Sequence, residues 1–284
     1  MRIPKLIYKV KNKFVKIKKE KVLVPVYNGN LLNGRRAFIT GGSSGIGYAI
    51  ASAILKNGAR VVISGRNIDK LNKAKAKLIK EVKCNDEDIV CYELDITKID
   101  QCYGQFNYFL DRTDKIDIFV NNAGVNIGDL FPDTNLYDFE KVLETNLKGM
   151  YFFSQCIFKY MVNNQIKGNI LNITSSSSLR PAISPYIISK WGERSLTLGI
   201  AKKALKYGIT VNGLAPGSTL TPMLQKDNTN NLTLDYSPIK RYIAPEEIGN
   251  MAVVLVSDIG RTIIGDTIYM TGGAGVITYD DMQY

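Results

Sequence analysis

Tyr186 and Lys190 stand four residues apart in the segment SPYIISK, and a run of four serines, Ser175 to Ser178, precedes them. At the start of a helix that spacing puts both side chains on one face. A free phenol, with a pKa near ~10, is a poor base at neutral pH. An ammonium beside it favours the phenolate, and such a charge moves a pKa by roughly 1–3 units. The pair is therefore a candidate for proton transfer without imidazole, which matters because the chain contains no histidine. The serines follow the β-branched run NILNIT (169–174), and an α/β fold places ligands at the carboxyl ends of such strands. A serine hydroxyl there can donate to a carbonyl oxygen as negative charge develops. On its own, Tyr-x-x-x-Lys is a frequent accident of helices.

Two further stretches add chemistry. TGGSSGIG, Thr40 to Gly47, follows directly on the apolar run RAFIT (36–40). Glycines between a strand and a helix allow a tight turn and bring backbone N–H groups close to a pyrophosphate. The next run ends in VVISGRN, where an NAD-binding fold usually places an acid that binds the adenosine ribose. Gly65 occupies that position and Arg66 follows it. A guanidinium suits a ribose 2′-phosphate in charge and in bidentate geometry, which favours NADP over NAD. The alternative is that Arg66 pairs with a surface acid such as Asp69.

The elements that must position these residues can be read from periodicity. Runs at 36–40, 60–64, 88–94, 116–120, 169–174, 209–214 and 267–271 are short and β-branched, and most are apolar throughout. That is the pattern of strands buried on both faces of a parallel sheet. Helical patterns lie between them near 46–57, 68–82, 98–112, 137–162, 186–207 and 245–257. The alternation predicts one α/β domain of the Rossmann type, a doubly wound parallel sheet of about seven strands with helices on both faces. The polar stretch LQKDNTNNLTLDYSP (224–238) predicts a long loop, with a lid over about 219–238.

TGGSSGIG, NNAG (121–124), NLKG (146–149), SPYIISK (184–190) and APGSTLTPM (215–223) occur in one order on this pattern. The set resembles the short-chain dehydrogenase/reductase family, and the resemblance runs from about residue 33 to YMTGGAG near the end. It implies hydride transfer between a nicotinamide cofactor and a carbonyl or secondary alcohol, with members acting on 3-oxoacyl thioesters and on polyols as models. It implies that Gly41, Ser43, Ser44, Gly45, Ile46 and Gly47 form the phosphate turn. Asp95 and Ile96 would lie near the adenine, and Asn122, Ala123 and Gly124 would shape the central cleft. Pro216, Gly217, Thr219 and Thr221 would position the nicotinamide amide. Asn146 would hold a water for proton relay, Tyr186 would be the acid/base, and Lys190 would hold the nicotinamide ribose and lower the tyrosine pKa. The family's serine commonly lies about 13 residues before the tyrosine, which here is Ile173. Aligning on the strand instead selects Ser175, with Ser176 as the alternative, and makes this loop two residues shorter. A cofactor-binding sensor or scaffold without turnover is the competing reading of the same motifs.

Composition bounds the rest. The 284 residues are 45% hydrophobic and 22% charged, enough to bury a full core. Of the net charge of +11, residues 1–34 supply most, with nine basic side chains against one acid, Glu20. This basic extension precedes the domain over 35–284. Leu6, Ile7, Val10, Phe14 and Ile17 recur in it at roughly helical spacing. It fits a surface helix on anionic lipid or an acidic partner, or a solvated arm strapped to the body. No specific nucleic-acid partner is expected. No apolar run reaches 18 residues, so no transmembrane helix is expected, and no secretory signal is legible. Cys84, Cys91, Cys102 and Cys156 show no C-x-x-C pair and read as free thiols of a reducing, cytoplasmic setting without a metal site. MYFFSQCIFKYMV (150–162) is apolar almost all round and predicts packing on a second subunit, in a homodimer or homotetramer. The substrate class is left open among a 3-oxoacyl thioester, a sugar or polyol, and a steroid-like ketone.

Overall fold

A computed structural model describes residues 30–113, 115–224, 234–235 and 237–277. Among these residues seven strands form a single parallel sheet in the order β3-β2-β1-β4-β5-β6-β7. They are β1 (Arg36–Thr40), β2 (Arg60–Gly65), β3 (Ile89–Glu93), β4 (Ile118–Asn121), β5 (Asn169–Ile173), β6 (Thr210–Pro216) and β7 (Thr267–Met270). The helices are α1 (Gly45–Lys56), α2 (Ile68–Val82), α3 (Ile99–Leu110), α4 (Leu136–Leu143), α5 (Met150–Asn163), α6 (Pro185–Ala204) and α7 (Pro245–Val256). The doubly wound sheet expected from the sequence is thus observed.

Strand periodicity explains the two layers. Successive side chains point to opposite faces, so Ala37 and Ile39 of β1 join a core with residues of α1, α2 and α7, while Phe38 joins the other core, with α3 and α5. Ile118 and Val120 of β4 follow the first face, and Phe119 the second. Register places Phe38 beside Phe119, and their rings stack at 5.7 Å. Both faces are buried, so the strands read as unbroken apolar runs.

One element departs from the reading of the sequence. The pattern over 137–162 predicts one helix. The structure divides it into α4 and α5 with a π-helical turn, Glu144–Gly149, between them. A π turn inserts an extra residue without breaking the helix, so the apolar spacing around it changes too little to announce it. The serine run also gains structure, as a 3-10 turn over Ser176–Leu179. Leu32, placed by charge in the basic extension, is fully buried against the core. The rest of that extension, up to residue 29, lies outside the described residues, as do 225–233 and 236 of the expected lid. The base of that lid is described. Leu220 N–H donates to the Ile243 carbonyl and Ile243 N–H to the Ser218 carbonyl, so the chain leaves and returns at one point. Among the described residues no helix is long and apolar enough to cross a membrane, and no cluster of metal-ligating groups occurs.

The returning chain is fixed by Glu247, which accepts both guanidinium nitrogens of Arg241 at 2.6 and 2.9 Å and the Ala244 N–H at 2.9 Å. These bonds, the Arg241 pair first, hold the Glu247 carboxyl down at about 2. A lowered folded-state value means the contribution is present above the ordinary value of 4.5 and is lost as pH falls towards about 2. The pair is partly exposed, so its worth is modest. Glu247→Gln is expected to lower the thermal midpoint at pH 7, and the difference from wild type should shrink progressively in melts taken from pH 4.5 downward and be lost near pH 2. A difference that persists unchanged at the acid end excludes this role.

Candidate active site

The β1–α1 turn is built around glycine backbone freedom. Gly41 and Gly45 have φ of 67° and 55°, a region that favours glycine. Gly47 needs its hydrogen for space: a Cβ there would run into the Gly41 carbonyl oxygen and the Asn122 side-chain nitrogen. The first turn of α1 carries no acidic residue, and the N-cap residue Ser44 spends no side-chain bond on it. Its N–H groups and dipole are thus available to an anion.

Thr40 joins this turn to the end of β4. Its hydroxyl donates to the Val120 carbonyl and accepts the N–H groups of Asn122 and Ala123 at 2.9 and 3.1 Å. The Asn122 amide donates in return to the carbonyls of Thr40 and Gly41. Side by side, the two segments open a cleft of about 320 Å³ along the carboxyl ends of the strands. Its lining brings together most of the expected residues. From the turn come Gly41, Ser43, Ser44, Gly45 and Ile46; from the ends of β2 and β3, Arg66, Asp95 and Ile96. Asn122, Ala123 and Gly124 follow β4, Tyr186 and Lys190 come from α6, and Thr221 closes the far side. Thr221 packs against Gly45, whose added Cβ would lie 3.4 Å from its methyl group.

Burial alone would raise the Asp95 carboxyl. Two bonds from Thr97, its N–H and its hydroxyl, and then the charges of Arg66 and Lys141, bring it below its ordinary value instead. Arg66 thus faces the cleft and acts electrostatically on Asp95.

The α6 end is set by its cap. Ser184 accepts the Ile187 N–H at 3.2 Å and Pro185 takes the first helical position, where a missing N–H costs nothing. Tyr186 and Lys190 then lie one turn apart, with the ammonium 5.4 Å from the phenol ring centroid. The Lys190 side chain is 7% exposed and is gripped by Glu193, at 3% exposure, through both carboxylate oxygens at 2.8 and 2.9 Å. Burial alone would pull the lysine down; the carboxylate and then the phenol overcome it and hold it above its ordinary value. Burial pushes the Glu193 carboxyl up, and the ammonium it grips pulls it back down.

Other expected residues are near the cleft without lining it. Asn146, on the π turn, spends its amide on Val125 N–H, Val125 carbonyl and the Ser189 hydroxyl, at 2.8, 3.0 and 3.0 Å. An added Cβ on Gly124 would lie 3.3 Å from Asn146 Oδ1 and 3.9 Å from Lys190 Nζ, so the three groups converge. Ser175 follows Thr174, which does line the cleft, and its hydroxyl accepts the Ser177 N–H at 3.1 Å. That bond uses a lone pair and leaves the proton to donate elsewhere. Ser176 is buried in the 3-10 turn, and Ser178 donates to the Ser175 carbonyl. Pro216 ends β6, Gly217 N–H donates to the Met270 carbonyl, and Thr219 is buried with its hydroxyl on the Gly217 carbonyl. Reading by sequence missed Glu193, although its i+3 spacing from Lys190 was available. It also missed Thr174 and Val125, which carry no chemical signature.

The matches to known proteins fall on this same frame. The family model described as "short chain dehydrogenase" matches residues 35–232. The 3-oxoacyl-[acyl-carrier-protein] reductase of Rickettsia bellii is 34% identical over 247 residues, covering 85% of this chain and 97% of that protein. The gluconate 5-dehydrogenase from Burkholderia cenocepacia, solved with NADP and tartrate, superposes with a TM-score of 0.76 at 30% identity, over 85% of this chain and 95% of that one. The 3-ketoacyl-(acyl-carrier-protein) reductase from Brucella melitensis, solved with NADH, gives a TM-score of 0.76 at 25% identity, over 86% and 100%. The chain belongs to the short-chain dehydrogenase family of oxidoreductases.

Gly47→Ala tests the cradle. Overpacking against a backbone carbonyl costs typically about 1–3 kcal/mol, and the turn must shift. A lower thermal midpoint together with weakened nicotinamide-dinucleotide binding by calorimetry is expected; binding as in wild type would show that the turn is not the anion cradle.

Proposed function

We propose that the protein is an NADP(H)-dependent oxidoreductase that interconverts a carbonyl group and a secondary alcohol on a small-molecule substrate, with Tyr186 as the acid/base. The observation that carries this reading is the buried Lys190 ammonium beneath the Tyr186 ring, in the cleft that the glycine turn opens. The glycine turn and the start of α1 would hold the pyrophosphate, and Arg66 the 2′-phosphate. Bound NADP(H) supplies or accepts the hydride. Ser175 donates to the substrate oxygen as it becomes negative. Tyr186 gives up its proton in reduction and takes one in oxidation, with Lys190 stabilising the phenolate. Asn146 fixes the floor of the site through Val125 and Ser189, and Pro216, Gly217 and Thr219 support Thr221 from the end of β6.

The preference for NADP rests on Arg66 and on the absence of an acid at Gly65. A homodimer or homotetramer fits the outer face of α5, where Tyr151 is 47% exposed. A cytoplasmic setting fits the free thiols Cys84, Cys91 and Cys156; the Cys102 side chain lies outside what is described.

Purified protein assayed with NADPH against a panel of 3-oxoacyl thioesters, keto-sugars and cyclic ketones, with NADH as control, tests the reading. Tyr186→Phe should reduce turnover roughly 10²–10⁴-fold, the scale of a lost general acid, while NADPH still binds. Turnover retained by that variant excludes the mechanism, and NADPH binding without turnover on any compound favours a sensor or scaffold. Arg66→Ala should weaken NADPH about tenfold to a hundredfold, the worth of roughly 1.5–3 kcal/mol for a charged hydrogen bond, and leave NADH nearly unchanged. A wild-type enzyme that prefers NADH removes the role assigned to Arg66.

A further inference from the structure

We propose that Glu193 is a positioning residue for Lys190: its carboxylate grips the ammonium from behind and preserves the positive charge that Tyr186 needs. This rests on the reading of Tyr186 as acid/base given above.

The pair is buried and closely held, with Lys190 on the cleft side and Glu193 behind it. Both residues lie on the buried face of α6, three positions apart, and both carboxylate oxygens reach Lys190 Nζ at 2.8 and 2.9 Å. The next acceptor within reach of the ammonium is the neutral Ile173 carbonyl, at 3.4 Å. On the far side Glu193 borders a void of about 10 Å³, shared with Thr40, Asn121 and Asn146, roughly the room of one water. These groups from β1, β4 and the π turn are polar and uncharged. Arg194, the next residue on the helix, turns away to the Ser178 carbonyl and the rings of Trp191 and Tyr269. Among the described residues Lys190 is the charged group acting on Glu193.

The chemistry follows from dryness. A buried lysine without a counter-charge loses its proton readily. A neutral amine under the phenol does nothing to favour the phenolate. A carboxylate one turn deeper keeps the lysine cationic, and because it sits behind the ammonium, the positive end faces the tyrosine. A buried ion pair is weak evidence for stability, and here its value lies in the protonation state of one partner. Burial works against the lysine's charge, and the carboxylate is the first influence that opposes it.

The test reads Lys190 directly in cofactor-free protein, by NMR titration of lysine labelled with ¹³C at the ε carbon and assigned with Lys190→Arg. In wild type Lys190 is expected to titrate above 10.5, its ordinary value. Glu193→Gln keeps the shape and deletes the charge, and should lower the Lys190 titration by about one unit or more. Glu193→Asp, with the carboxylate withdrawn by one methylene, should give an intermediate value, and it decides the matter where the Gln variant does not fold. In turnover with NADPH and any carbonyl compound the wild type reduces, Glu193→Gln should lower kcat about tenfold with KM little changed, and Glu193→Asp should recover part of it. A wild-type Lys190 that titrates below the ordinary lysine range, or a titration unmoved in the variants, overturns the proposal. A merely structural role would lower the melting temperature and leave the Lys190 titration where it was. Because the titration needs neither cofactor nor substrate, its failure is distinct from that of the oxidoreductase reading, which shows as turnover surviving Tyr186→Phe.

Discussion

The hydroxyl of Thr40 is the point on which the site depends. It ends β1, where the sheet order turns from β2 on one side to β4 on the other. Connections leaving neighbouring strands there diverge to opposite faces, which is why open α/β sheets form a crevice at this place. A crevice is useful only if its two walls keep a fixed spacing. Thr40 provides that: one oxygen donates to β4 and accepts two N–H groups from the segment that follows it. Asn122 returns two bonds to the glycine turn. The glycine turn, the wall proposed to cradle an anion, and the wall that shapes the centre of the cleft are thus one hydrogen-bonded piece. Gly47, packed against the same carbonyl and amide, leaves no slack between them.

Beneath that crevice the protein buries polar groups at a depth where an unpartnered one is costly. Thr197 donates to the Glu193 carbonyl and accepts from Asn172, which accepts from Asn121, which also donates to Ser154. All these residues are buried. A chain of satisfied polar groups therefore runs from the lysine–glutamate pair through α6, β5 and β4 to α5. Such networks specify one arrangement when complete and fail when broken. Through the Thr197–Glu193 bond this interior polar scaffold is tied to the same helix that carries Tyr186 and Lys190.

What the sequence made legible follows from how local each signal is. The strands were readable because both faces of the sheet are buried, so that each strand is a short run of apolar residues that needs no partner to be recognised. The glycine turn and the Tyr-x-x-x-Lys pair were readable because strand–turn–helix and i+4 spacing are local rules. The π turn around Asn146 was not, since α4 and α5 share an apolar face across it and periodicity sees one helix. Ser175 and Ser176 could not be separated by counting. In the structure Ser175 caps the 3-10 turn that Ser176 begins; both are buried beside the cleft-lining Thr174, and neither lines the cleft itself. Glu193 had the spacing of an ordinary helical ion pair, a pattern usually found on solvated faces. Only the packing of α6 against the sheet reveals that this pair is dry.

That dryness changes what the pair can do. On a surface, a lysine and a glutamate three residues apart leave each other nearly as water would. Buried, the same two charges must be treated as a unit, because neither is tolerated alone. The unit has a direction: ammonium towards the phenol, carboxylate towards the interior. A chain with no histidine thereby places a fixed dipole where its acid/base chemistry would occur, using three residues of one helix and the burial that the doubly wound sheet imposes.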